Sequence, residues 1–211
     1  MEHDSKAILE EINILYDNRN YGEVIEKAQS LINDENLDIA SAAKLRSALS
    51  YFRKGKYKDS LLLFEELASL KNDVLSWYNV TQSAILSNEI QKGKDAFNKA
   101  LELHKISGFN QYPRIPEMRY DYAGALCIVG LFKDALEQLD ELKKIYMKLK
   151  ITDTNFLFLR GVPFFSHTLD LAKKIFTGLG MVFSQTDWLK ELKQYVDDDG
   201  KRIINRYQNI E

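Results

Sequence analysis

The sequence predicts an all-α protein, a stack of helix–turn–helix units. Three observations carry that expectation. Glycine and proline are scarce, at 10 and 3 among 211 residues, about half their usual share, and a sheet with many tight turns would need more of both. One spacing pattern recurs four times along the chain. Within each copy the apolar residues return at helical intervals. With 45% apolar and 28% charged residues the composition is that of a folded chain rather than a disordered one. The length fits one domain or a short repeat array.

The pattern is clearest over Tyr51–Leu67, where Gly55 is followed by Tyr57, Ser60, Phe64 and Leu67. A shift of 33 gives Asn88, Ile90, Gly93, Phe97 and Ala100, and a further 42 gives Gly130, Phe132, Ala135, Leu139 and Leu142. Going back 36 from Gly55 gives Arg19, Tyr21, Val24, Ala28 and Leu31. Each copy therefore reads as two helices around a tight turn. The first helix buries residues four, seven, eight and eleven of the unit, which are Trp77, Val80, Thr81 and Ala84 in the third copy and fall on one stripe of a helix. In the fourth copy they are Arg119, Tyr122, Ala123 and Leu126. Small residues at Ser60, Gly93 and Ala135 let the second helix approach the first closely. Gly55, Gly130 and Asn88 suit a helix end that needs a left-handed residue.

These units resemble tetratricopeptide (TPR) repeats, helix–turn–helix elements of about 34 residues. The copies fall at roughly 5–38, 41–74, 74–107 and 116–149, so that 1–150 holds four repeats. Residues 151–211 are read as a degenerate fifth repeat and a C-terminal capping helix of the same domain. The resemblance implies a right-handed α-solenoid, for which ten or eleven helices are expected. There are departures: no copy ends in the customary proline, and Glu11, Lys44 and Arg119 stand where apolar residues are usual. The spacer Ser107–Ile115 separates the third and fourth copies, with Pro113 and Pro116 ending one helix and opening the next. A fifth copy is sought at 153–186, marked by Phe156, Leu159, Leu169, Ala172, Phe176 and Leu179, although Pro163 breaks its first helix into pieces near 153–161 and 164–178. The last helix is expected over Asp187–Gln208, with Thr186 as its N-cap and Trp188, Leu189, Leu192, Tyr195 and Val196 on one face. A solenoid needs such a lid over its final repeat. The aromatic stretch Phe156–Phe165 is expected to pack beneath it, with Phe156, Phe158 and Phe165 buried.

Little catalytic chemistry is visible, and no enzyme, cofactor or metal is expected. Of three histidines, His3 is terminal, His104 sits where an imidazole can face the negative end of a helix, and His167 follows Ser166 without a nucleophile-elbow pattern. Cys127 is the single cysteine, in the apolar run Ala125–Val129, and has no cation near in sequence to make it a thiolate. Gly178-Leu179-Gly180 lacks the strand and third glycine of a dinucleotide loop. Asp197-Asp198-Asp199-Gly200 resembles a calcium loop, but Tyr195 and Arg206 occupy ligand positions, and pairing of Asp197 and Asp198 with Lys201 and Arg202 is expected instead. The net charge of −2 offers no field for a polyphosphate, so no nucleic acid is expected. No run approaches a membrane span, and Met1–Lys6 lacks the basic start of a signal peptide. The expected location is the cytoplasm.

In the family the chain resembles, residues two, five, nine and twelve of each first helix line a concave groove. Those residues are Lys6, Leu9, Asn13 and Tyr16; Ala42, Leu45, Leu49 and Phe52; Leu75, Tyr78, Gln82 and Ile85; and Glu117, Tyr120, Gly124 and Cys127. The face is more apolar than a surface left bare to water. The two-carboxylate clamp of some family members is not present, because Leu9, Arg46, Leu75 and Asn79 occupy its other sites. The expected groove residues are Asn13, Tyr16, Leu45, Leu49, Phe52, Tyr78, Asn79, Gln82 and Tyr120. The tyrosines would serve as amphipathic anchors and the amides would hold a backbone. The expected function is an adaptor or assembly factor that binds a peptide or helix of a partner protein. The alternative is a regulator in which a ligand changes the stack's shape or its pairing with a second chain.

Overall fold

The computed structural model describes residues 2–108 and 112–208. The spacer residues Phe109, Asn110 and Gln111, and the side chain of His3, lie outside the described residues. The chain forms two compact units, Met1–Leu103 and His104–Glu211. Twelve helices and no strand occur among the described residues.

The first unit contains α1 (Glu2–Asp17), α2 (Tyr21–Ala28), α3 (Leu37–Arg53), α4 (Tyr57–Lys71), α5 (Val74–Leu86) and most of α6 (Ile90–Ser107). Asn36 caps α3 by accepting from the Asp38 amide at 3.0 Å, and Asp73 caps α5 by accepting from the Ser76 amide at 2.7 Å, each satisfying a donor that the first helical turn leaves free. Two apolar centres hold the helices. One joins Ile12, Val24, Ala28, Leu31, Ile39 and Ala43; the other joins Ala48, Leu61, Phe64, Leu67, Ala68, Val80, Ala84 and Ala96. The small residue of each second helix does the work expected of it. The Ser60 hydroxyl donates to the Ala48 carbonyl at 2.9 Å and lies 3.1 Å from the Ser83 hydroxyl. At Gly93 a Cβ would sit 2.5 Å from Ile85 Cδ1, so only glycine admits the approach of α6 to α5.

The polar departures are resolved between the two helices of a hairpin. Glu11 pairs with Lys27 at 2.5 Å and Lys44 with Glu66 at 2.8 Å. The second helix of the first copy is short: after Ala28 the chain turns through i→i+3 bonds, and Asp34 accepts from Ser5 Oγ at 2.7 Å.

The second unit contains α7 (Ile115–Ile128), α8 (Phe132–Leu149), α9 (Thr154–Leu159), α10 (Phe165–Gly178), α11 (Val182–Lys193) and α12 (Asp198–Gln208). Pro116 lies in the first turn of α7, where the Glu117 carboxylate accepts from the Arg114 amide at 3.0 Å. Arg119 donates to Gln138 at 2.5 Å, the counterpart of the ion pairs in the first unit. Helix α8 packs on α7 and α10, α10 on α11, and α12 on both α10 and α11. Tyr146 is fully buried among them; its hydroxyl donates to the Pro163 carbonyl at 2.6 Å and lies 2.8 Å from Thr168 Oγ1.

Here the structure departs from several expectations. The turn residues Arg19, Gly55, Asn88 and Gly130 all have positive φ, and Gly180, at φ 66°, continues the series. The fifth hairpin is thus α10 and α11, with Gln185, Leu189 and Leu192 buried in the register of Ser60, Phe64 and Leu67. It does not follow the spacing of 153–186. The segment 151–164, with the short α9, is an insertion ahead of it. The last helix is two: Thr186 lies inside α11, and α12 begins after Asp197. Asp197 accepts from the Thr152 amide at 2.9 Å, from Thr152 Oγ1 at 2.5 Å and from the Gly200 amide at 2.9 Å. It therefore caps α12 instead of pairing with Lys201, which pairs with Asp198. In the aromatic stretch Leu157, Val162 and Phe165 are buried, whereas Phe158 is 71% exposed and Phe156 half-buried, because a six-residue helix cannot turn all of them inward.

Candidate partner-binding face

Eight of the nine expected groove residues belong to the first unit: Asn13 and Tyr16 on α1, Leu45, Leu49 and Phe52 on α3, and Tyr78, Asn79 and Gln82 on α5. All eight are half-buried or buried. Leu45 and Leu49 lie against the core centre that includes Val80 and Ala84 of α5. Phe52 meets Tyr57 edge-on at 5.3 Å, and Tyr16 meets Tyr21 in the same way at 5.6 Å. Ile85, expected in the groove, is instead fully buried against Gly93, since the missing side chain at 93 leaves room for it.

The polar members differ in how they are satisfied. Asn13 accepts from Arg46 Nε at 2.6 Å, and the Arg46 guanidinium lies 4.8 Å from the centroid of the Tyr16 ring. Arg46, which follows Leu45, thus ties α1 to α3 on this face. Gln82 is only 9% exposed, and its Nε2 has no hydrogen-bond partner among the described residues. A buried amide donor left unpaired costs about 1–3 kcal/mol, so the fold carries that cost at this position.

Tyr120 belongs to the second unit, on α7. Burial pushes its phenol pKa up, and the charges of Asp121 and Asp170 add to the effect. On the same helix, burial raises the Cys127 thiol, with Lys174 opposing, so this thiol is not an activated nucleophile. Among the described residues no group of three or more His, Cys, Asp or Glu side chains could hold a metal ion. No helix among them is long and apolar enough to cross a membrane.

The fold has solved counterparts. A kinesin light chain-like protein from Podosopora anserina, with nearly identical TPR-like repeats, superposes with a TM-score of 0.66 at 14% identity, over 100% of both chains. A second structure of that description gives 0.65 at 16% identity, over 92% of this chain and 96% of that one. The MamA protein gives 0.61 at 13% identity, over 92% and 93%. By fold, the chain is a TPR-like repeat protein. No family model matches its sequence, and no curated protein does.

Within the TPR-like framework the face formed by α1, α3 and α5 combines apolar side chains with amide groups. Arg46 is not among the nine residues expected from the sequence, yet it contacts two of them, Asn13 and Tyr16. From the sequence it counts only against a two-carboxylate clamp, yet it stands half-buried three residues before Leu49 on α3. The signal lies in the pairing of Asn13 with Arg46, which stand on consecutive first helices at different positions of the repeat. No single helix displays it.

Proposed function

We propose that the first unit is a protein–protein interaction module that holds a peptide or helix of a partner on the face of α1, α3 and α5, and that its task is adaptor-like and non-catalytic. The observation that carries this reading is Gln82. On α5, one helical turn beyond Tyr78, a buried amide with an unpaired donor weakens the free protein, and a ligand carbonyl that accepts from it removes that cost. The TPR-like fold of the structural neighbours is compatible with such a role. Tyr16 and Tyr78 serve as amphipathic anchors, and Asn79 and Gln82 offer amide contacts to an extended backbone.

The test selects binders for the full chain from a random twelve-residue peptide library and measures one of them on two variants. Gln82→Leu should melt at or above the wild-type temperature and bind at least tenfold more weakly. Leu49→Glu should also lose binding. A Gln82→Leu variant that binds the peptide as well as the wild type overturns the reading, as does a library that yields no binder.

A further inference from the structure

Arg46 has a half-buried side chain in the first unit and no acidic partner among the described residues. Its neighbours show how unusual this is. Lys44, two residues earlier and also half-buried, pairs with Glu66 at 2.8 Å; Lys27 pairs with Glu11 at 2.5 Å and Lys92 with Glu65 at 2.7 Å. Arg46 instead has one nitrogen, Nε, committed to the neutral Asn13 Oδ1 at 2.6 Å, while its plane stands over the Tyr16 ring at 4.8 Å. Neither contact neutralises the charge. Both restrict the side chain, so that little rotamer freedom remains to be lost on binding. The two terminal nitrogens, Nη1 and Nη2, donate to nothing among the described residues. They present the planar fork that matches the two oxygens of a carboxylate.

We propose that the Arg46 fork, held by Asn13 and Tyr16, recognises an Asp or Glu side chain within the partner segment bound on the face of α1, α3 and α5. The proposal rests on the partner-binding reading above and names the chemistry of that partner. Charge complementarity chooses the occupant: the half-buried guanidinium carries a charge that no acidic side chain among the described residues offsets, and away from bulk water the attraction for one carboxylate is stronger than in water. Position chooses a side chain over a chain terminus. Arg46 lies in the middle of α3, which packs on α1 and, through Leu45 and Leu49, against the core centre that includes Val80 and Ala84 of α5, the helix that carries Asn79 and Gln82. A segment long enough to touch both flanking helices crosses the guanidinium partway along its length.

The probe is a set of C-terminally amidated octapeptides displayed on an array, each sequence made twice, once with Asp or Glu and once with the isosteric Asn or Gln. A third arm carries the amide forms with a free C-terminal carboxylate. The full chain should bind the acidic member of its best pairs at least tenfold more tightly, and added salt should erode the difference. Arg46→Gln should bind both members alike, at the affinity the wild type shows for the amide form, and that residual binding reports an intact face. Arg46→Lys should keep part of the preference, because it keeps the charge and loses the fork. Equal binding of both members by the wild type, or a preference that survives in Arg46→Gln, overturns the proposal and leaves the partner-binding reading standing. A preference satisfied by the free C-terminus alone also overturns it. Absence of any binding overturns both.

Discussion

Tyr146 offers the sharpest test of how the second unit is held together. The side chain is fully buried, its ring meets Phe165 edge-on at 5.1 Å, and its hydroxyl donates to the Pro163 carbonyl at 2.6 Å beside Thr168 Oγ1 at 2.8 Å. One phenol thereby ties α8 to the turn that starts α10. Tyr146→Phe keeps the ring and its packing and removes only the hydroxyl. The Pro163 carbonyl then loses its donor, at a cost of about 1–3 kcal/mol, which for a chain of this size lowers Tm by about 2–4 °C per kcal/mol. Urea unfolding of wild type, Tyr146→Phe, Thr168→Val and the double variant forms a cycle. The two changes should be non-additive by at least about 0.5 kcal/mol, as expected for partners in one network. Burial also pushes the phenol pKa well above its ordinary value. A raised pKa means that the neutral form is favoured in the folded state, so this contribution is complete below the unfolded tyrosine value of about 10 and fades as pH rises through the folded one. An ultraviolet titration should find this phenol un-ionised until alkaline unfolding. A Tyr146→Phe variant with unchanged urea midpoint and slope would refute the argument.

Other changes probe separate parts of the account. Phe64→Ala removes a ring that is 2% exposed at the centre of the first unit's core and should cost about 3–5 kcal/mol by urea melt; a loss below about 1 kcal/mol contradicts the repeat register. Gly93→Ala places a methyl 2.5 Å from Ile85 Cδ1 and should destabilise by about 1–3 kcal/mol through overpacking, whereas the open site at Gly124 should tolerate alanine in the same assay. At Asp197 burial pushes the carboxyl pKa up, but the hydrogen bonds from Thr152 and Gly200 outweigh it and hold the pKa below its ordinary value. Its contribution is therefore complete above about pH 4 and is lost as pH falls through the folded pKa. Asp197→Ala should cost about 0.5–2 kcal/mol at neutral pH, as loss of a helix cap does, and the gap to wild type should close in acid.

The parts of the fold that local chemistry dictates were legible in the sequence. Arg19, Gly55, Asn88 and Gly130 each mark a turn with positive φ, and the apolar residues that follow them are the ones that pack the hairpins. The fifth hairpin escaped the same search. The insertion at 151–164 moves its turn to Gly180, 50 residues beyond Gly130, and Gly178-Leu179-Gly180 has the superficial look of a nucleotide-loop fragment. Gly178 has a different purpose, since a Cβ there would lie 2.4 Å from the Phe132 ring. The role of Asp197 is not legible in the sequence because its partner Thr152 lies 45 residues away, while Lys201 and Arg202 offer a simpler local pairing. Helical periodicity puts eight of the nine expected groove residues on α1, α3 and α5, but periodicity says nothing of hydrogen bonds. The unpaired Gln82 amide and the tethered Arg46 become visible only when three helices are side by side.

The measurement that bears most directly on the partner-binding face is amide hydrogen exchange of the full chain with and without a library-selected peptide. Slowed exchange should appear in α1, α3 and α5, around Asn13, Leu49 and Gln82, and leave the second helices α2 and α4 unchanged. Protection concentrated on α2 and α4, or on the exposed α9 around Phe158, would contradict the account and place the binding surface elsewhere.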